Sequence, residues 1–427
     1  MAAAGAITPV GGGRDDAAPH LDDGVVSEFL HRLPTRDAYR LTAVCPRWRA
    51  LISSPAFLSR HLSPRPLPLL EGLPDAIVLQ PKKLGYTHLM LVATDPAVHV
   101  ALNMPRLPKY TVWDRYRPPR TKLLPPSTPV MELGDHAAVF FERTVPMLDF
   151  TIEASHGRLL LGRGRTRYFV CDPAANRWLA LPPPAAIPPT RDTACGFCYD
   201  VDAETGRVSF TVVLLARARF RRVLVETFSS ATGSWATTML DAQGVARCLG
   251  TASPGIHVGT CFYWLSRRRG RVLSYDAARG RATVVREPPD AEGSVERTAR
   301  SLGSTGGRLR LCGFDIRDDN PSALPHYSLE GVHGVWVMDD AGAWRRVHEA
   351  VVENIQAWYF KRLLGIEKPL DFAGAPGGYI VLDKDSILLR YDLESGEKVD
   401  LVRFYRDDGC IGALYHRSHA FPFYRSG

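Results

Sequence analysis

The sequence predicts a short all-α module followed by a large all-β domain. Two patterns carry this: an apolar stripe at helical spacing near the N-terminus, and a strand–turn–strand unit that recurs through the rest of the chain. Composition agrees. Gly (36) and Pro (33) together make 69 of 427 residues, about 16% against a usual share of roughly 12%. They are spread along the chain, as many short strands joined by tight turns require.

The helical part begins after a small-residue leader, residues 1–18, expected to be disordered. From Leu21 to Pro34, the apolar residues Val25, Val26, Phe29, Leu30 and Leu33 fall on one face. Asp22 or Asp23 caps the first turn, and Pro34 stops the helix because it has no N–H to donate. Thr35 caps a second short helix with Asp37 in its first turn, and Leu41, Val44 and Cys45 form its apolar side. Pro46 opens a third helix carrying Trp48, Leu51 and Ile52. Ser54-Pro55 repeats the cap-then-proline signal before Phe57, Leu58 and Leu62. Four helices this short cannot bury so many large side chains internally, so the stripe packs on a partner or on the larger domain.

This segment resembles the F-box. The resemblance rests on Leu33-Pro34, the run from Arg40 to Ile52, and Ser54-Pro55-x-Phe57. It implies docking on the Skp-type linker of a cullin–RING ubiquitin ligase. Carried over by position, the contacts are Leu21, Val25, Val26, Phe29, Leu30, Leu33, Pro34, Leu41, Val44, Cys45, Trp48 and Leu51. Two departures stand out: Leu21-Asp22 replaces the usual Leu-Pro opening, and Gly24 occupies the first turn. A glycine there costs up to about 1 kcal/mol relative to alanine.

Residues 19–63 are thus the helical module and 64–74 a proline-rich, semi-rigid linker. Residues 75–427 form the β domain. Its unit is a β-rich run, an Asp or Ser, a turn, and a Trp or substitute six residues on. Copies start from Asp95, Asp172, Ser229, Asp276, Asp339 (one residue shorter) and Asp392. The Asp closes an Asx-turn, Gly supplies positive φ, and the second strand opens with a large residue. Trp178, Trp235 and Trp344 occupy that last position and are expected to pack between adjacent sheets. The spacings 172→229, 229→276, 276→339 and 339→392 are 57, 47, 63 and 53. That is near the roughly 50-residue period of four-stranded propeller blades such as Kelch repeats.

The expected architecture is therefore propeller-like, with six blades, possibly seven; the alternative is a β-sandwich. The longer step from Asp95 to Asp172 hides an insertion or a further blade. The runs 156–161, 261–265, 307–312 and 378–382 read as inner strands. The pattern Gly157-Arg-Leu-Leu … Asp172-Pro … Trp178 … Leu181-Pro-Pro is similar to the F-box-associated propeller of plant F-box proteins. Together the two resemblances imply a non-catalytic substrate receptor whose partners are the linker, through it cullin and RING subunits, and a target protein.

Other signals are weaker. Cys195-Gly-Phe-Cys198 has the spacing of half a zinc site, but no second pair follows, so no metal and no cofactor is expected. Phosphate-loop, zincin and nucleophile-elbow motifs are absent from the sequence. Eight scattered cysteines and a leader without a basic start suit reduced thiols in cytoplasm or nucleus. No apolar run approaches the roughly 18 residues of a membrane span. The formal charge of +8 favours acidic partners. It is concentrated in Arg217, Arg219, Arg221 and Arg222 and in Arg267, Arg268, Arg269 and Arg271, which are candidate target contacts. A nucleic-acid site at these arginines, or a propeller enzyme assembled from distant loops, are the other function classes.

Overall fold

The computed structural model describes residues 21–33, 38, 41–52, 54, 56–57, 60, 74, 76–81, 90–93, 151–164, 166–172, 177–190, 192–202, 208–250, 253–290, 294–317, 328–358, 362–364, 366–384, 387–403 and 418–424. Helix α1 spans Asp23–Arg32, and the Asp22 carboxylate caps it by accepting the Gly24 N–H at 2.9 Å. A β-carbon on Gly24 would lie 2.8 Å from that carboxylate oxygen, so the glycine leaves room for the cap. Helix α2 spans Pro46–Ile52, with proline at its first position as expected. Ser54 accepts the Phe57 N–H at 3.2 Å, confirming the third cap. The expected Thr35 cap, Pro34 and the linker before Pro74 lie outside the described residues. Arg47 ties the helices together, donating to Asp23 at 2.6 Å and to the Leu21 carbonyl.

The β domain is a propeller. Strands β1 (Ala76–Pro81) and β2 (Met90–Ala93) follow the helical module. Blade 1 comprises β3 (Thr151–His156), β4 (Leu159–Arg163), β5 (Tyr168–Asp172) and β6 (Arg177–Ala180); blade 2, β7 (Ala194–Val201), β8 (Val208–Arg217), β9 (Val223–Ser229) and β10 (Ser234–Leu240). Blade 3 holds β11 (Ile256–Val258), β12 (Cys261–Leu265), β13 (Arg271–Asp276) and β14 (Arg281–Arg286). Blade 4 has five strands: β15 (Ser294–Thr305), β16 (Arg308–Arg317), β17 (Ser328–Met338), β18 (Trp344–Trp358) and β19 (Arg362–Leu364). Blade 5 holds β20 (Glu367–Leu370), β21 (Tyr379–Lys384), β22 (Ile387–Asp392) and β23 (Lys398–Arg403). The last strand, β24 (Ser418–Phe423), pairs antiparallel with β1, giving a sheet ordered β2-β1-β24. The expected six or seven blades are corrected accordingly. Among the described residues five blades are complete, and the sheet joining the two chain segments has three strands.

The first strands of successive blades abut one another around the axis, and β24 abuts both β20 and β3. This corrects the inner-strand assignment. The runs at 159–163, 261–265, 308–312 and 379–382 are second strands, sandwiched between neighbours and buried almost throughout. Of the strands that line the axis, β3, β15 and β20 are rich in polar residues, so a search for apolar runs passed over them, whereas β7 opens on the buried run Ala194–Phe197.

The turn chemistry is as expected. Asp276 accepts the N–H groups of Ala278 and Arg279 at 3.0 and 3.1 Å; Asp339 those of Ala341 and Ala343; Asp392 those of Glu394 and Ser395. Gly233, Gly280, Gly342 and Gly396 all take positive φ at the matching place. The tryptophans do more than fill space. Trp235, in blade 2, donates its indole N–H to the Pro182 carbonyl just past blade 1, at 2.8 Å. Trp344, in blade 4, donates to the Arg286 carbonyl at the end of blade 3, also at 2.8 Å. Each ring thus clasps the preceding blade. Blades 3 and 5 carry Ala282 and Lys398 there, the Asp95 copy lies outside the described residues, and so does the Trp178 side chain.

Buried polar groups complete the inter-blade contacts. Arg310 of blade 4 forks onto Asp371 of blade 5, with Nε at 2.8 Å from Oδ2. Glu226 accepts three backbone N–H groups, from Ala185, Ala186 and Ile187. Glu367 accepts from His333 Nε2 at 2.8 Å and from Lys384 and Lys398. Burial alone would raise the Glu367 carboxyl, but these donors together hold it at about 2. Burial lowers His333 below its usual value, outweighing Glu367, so the ring is neutral at pH 7.

Two outcomes follow. Trp235→Ala should destabilise the domain by about 3 kcal/mol, and Trp235→Phe by about 1 kcal/mol from the lost indole donor, read by denaturant melts. Both His333 and Glu367 bind protons less readily folded than unfolded, so their stabilisation is present at neutral pH and lost on acidification. His333 begins to lose it as pH falls through about 6.5, and Glu367 from 4.5 toward 2. The melting temperature should fall between pH 6.5 and 5, and His333→Gln should flatten that slope; an unchanged slope would remove His333 from the account.

Candidate functional site

The helical module presents two kinds of apolar residue. Val26 and Leu30 on α1, with Ile52 and Phe57, are buried in one core cluster continuous with blades 1 and 2. Leu33, Leu41, Trp48 and Leu51 pack against that same cluster and are half-buried. Leu21 (58% exposed), Val25 (56%), Phe29 (53%) and Val44 (61%) instead face solvent. Cys45 is half-buried, and its sulfur accepts the Trp48 N–H at 3.4 Å. The expected single docking stripe therefore divides. Val26 and Leu30 shape the module from inside, and only the outer row is presented. Both rows step by four residues and are offset by one position, so spacing cannot separate them when both are apolar.

The two arginine clusters form turns of neighbouring blades. Residues 217–222 join β8 to β9 and residues 266–270 join β12 to β13, each a second-to-third-strand connection, so both open on the same face. Between them lies helix α3 (Gln243–Cys248) in the connection from blade 2 to blade 3. Arg217 donates to the Ala246 and Leu249 carbonyls at the end of α3, at 2.9 and 3.4 Å. Arg267 donates its backbone N–H to Gly250 at 2.8 Å, and its guanidinium lies 3.6 Å from Asp192. Arg222 pairs with Asp241 at 2.9 Å. Arg217, Arg222 and Arg267 are thus engaged within the protein. Among the described residues the guanidinium groups of Arg219, Arg221 and Arg268 have no such partner; all three are exposed, as are Arg269 and Arg271.

Sequence reasoning missed Phe220. It stands 88% exposed at the tip of the first turn, with φ of 57°, and Arg221 follows at 59°. Left-handed backbone costs non-glycine residues about 1–2 kcal/mol each. The Ala218 N–H to Arg222 carbonyl bond, at 3.0 Å, closes the turn around them. The only sequence signal is a large aromatic amid arginines with no apolar neighbour to pack on.

The opposite face carries a cavity of about 670 Å³, ringed by first-to-second-strand turns. His156, Tyr199, Asp200, His257 and Ser304 line it. His156 Nδ1 accepts the Tyr199 N–H at 3.2 Å, which leaves the ring proton on Nε2. Burial, then His257, lowers His156 to about 4, so the imidazole is neutral and acts as a hydrogen-bonding group. His257 sits edge-on to it at 5.1 Å and is lowered by burial too. Among the described residues no three His, Cys, Asp or Glu side chains are placed to hold a metal ion. Cys195 and Cys198 lie three apart on β7 and so face opposite sides. Cys195 is buried toward blade 1, whereas Cys198 packs toward blade 3, pushed up to about 11 by burial.

Comparison with known proteins agrees with this geometry. An F-box domain model matches residues 19–60, and the family described as "F-box protein At3g26010-like, beta-propeller" matches residues 134–355. The F-box protein At5g03970 of Arabidopsis thaliana is 26% identical over 344 residues, covering 78% of this chain and 72% of that protein. Among solved structures, a luciferin-regenerating enzyme aligns with 60% of this chain and 76% of its own, at 8% identity and a TM-score of 0.32. The tricorn protease aligns with 64% of this chain and 33% of its own, at 10% identity and a TM-score of 0.30. A helical module matching the F-box, followed by a ring of antiparallel blades matching the propeller family over half the chain, identifies it: this is a plant F-box protein with a C-terminal At3g26010-like β-propeller.

Proposed function

We propose that this protein is the substrate-recognition subunit of an SCF-type ubiquitin ligase. The F-box binds the Skp-type linker, which brings the cullin and RING subunits; the propeller holds a target protein; ubiquitin transfer takes place on other subunits. The observation that carries this reading is the outward apolar row Leu21, Val25 and Phe29, with Val44 beside α2, on a module whose other large apolar residues, among those described, are buried or half-buried. A row of large exposed apolar side chains on a small module marks an interaction site. The family order, F-box then propeller, supports it. The protein would act in the cytoplasm or nucleus, where such ligases assemble and where its thiols stay reduced.

A second reading, favoured only by the exposed arginines, is a propeller that binds an acidic partner or nucleic acid outside any ligase. The two separate at the linker. Val25→Ala with Phe29→Ala should abolish pull-down of a Skp-type linker, since central apolar anchors are worth about 2–4 kcal/mol each. Both side chains are exposed, so the melting temperature should not change. Leu33 is a poorer test because it also packs on the core. Undiminished linker binding by the double variant would reject this docking face.

A further inference from the structure

We propose that the Arg219–Arg221 turn anchors an acidic segment of the captured protein. Its carboxylates would meet Arg219, Arg221 and Arg268, and an apolar side chain of the same segment would pack on Phe220. The proposal rests on the receptor reading and names the chemistry of the partner.

The turn is tied at both ends while its tip is left bare. Arg217 and Arg222, at its two ends, are tied to the end of α3 and to Asp241. Between them Arg219, Phe220 and Arg221 point away from any partner among the described residues. Among the described residues Phe220 is the most exposed of the large apolar side chains, and its backbone is left-handed, a conformation that a bulky residue adopts rarely. A turn already formed loses little backbone freedom on binding, and aromatic and arginine side chains are enriched where interfaces concentrate their affinity. The second basic turn brings Arg268 and Arg269 to the same face across α3.

An acidic peptide suits this surface better than a nucleic-acid strand. Asp192 and Asp241 sit within the patch, paired with Arg267 and Arg222. They would repel a continuous line of phosphates, yet they leave gaps that discrete carboxylates can avoid. Single-stranded nucleic acid also calls for several stacking rings in series, and Phe220 is a single ring at the tip of one turn.

The test uses the full-length protein bound to its Skp-type linker and three fluorescent probes of equal length. These are an acidic peptide with a central Leu-Phe pair, an all-glutamate peptide, and an oligouridylate. The Leu-Phe peptide should bind saturably, about tenfold tighter than all-glutamate. Phe220→Ala should weaken it about tenfold without moving the melting temperature, while leaving all-glutamate binding unchanged; tenfold corresponds to about 1.4 kcal/mol. Arg219→Glu with Arg221→Glu should remove binding of both peptides. The assignment is overturned if no peptide binds, if Phe220→Ala binds the Leu-Phe peptide as wild type does, or if oligouridylate binds tightest and Phe220→Ala weakens it. Linker binding is measured in the same samples. Its absence in the wild type counts against the receptor reading, whereas linker retained with no response at Phe220 overturns only this anchor.

Discussion

The ladder between β1 and β24 joins stretches of chain that start far apart: its end pair, Pro81 and Ser418, is separated by 337 positions (418 − 81). Six residue pairs form it, and the buried Gln80 side chain extends it sideways, accepting the Ile152 N–H at 2.7 Å and donating to the Ile152 carbonyl at 2.9 Å. Without that ladder, β20 and β3 would each present an uncovered flank beside the axis. An open ring exposes apolar sheet faces, whereas a closed one leaves only short outer edges. The Trp clasps, the Arg310–Asp371 fork and the Glu226 cradle all act between neighbouring blades, so they hold position in a ring that the ladder closes.

Much of this was legible because it is local. An Asp and a Gly with positive φ at fixed offsets specify a hairpin within a few positions, and the structure repeats that turn from Asp276, Asp339 and Asp392. Helix caps at Asp22 and Ser54 were legible for the same reason. Blade count and strand order were not. They depend on which segments meet across hundreds of residues, and β24 has no feature that names β1 as its neighbour. The inner strands were misassigned because burial was equated with the centre; in a propeller the middle of each blade is the driest place, and the axis is partly polar.

The site divides along the same line. That the N-terminal module was an F-box could be read from ordered short motifs. Which of its apolar residues remain outside could not, since Val25 and Val26 are chemically alike and differ only in the direction the helix turns them. The arginine turns were visible as composition, but composition does not tell a guanidinium that braces α3 from one left in solvent. Phe220 lay within a run already singled out for its arginines, and only the backbone reveals that the ring faces outward.

The core that Val26, Leu30, Ile52 and Phe57 share with blades 1 and 2 bears on how an adaptor of the proposed kind would work. Two units joined only by a proline-rich tether would sweep a wide volume, and almost any lysine on a captured protein would come within range sooner or later. A common core that includes Val26, Leu30, Ile52 and Phe57 would narrow that sweep. In such an adaptor the angle between linker and cargo would be set by packing, and the lysines that receive ubiquitin would be chosen by how the cargo sits on the propeller.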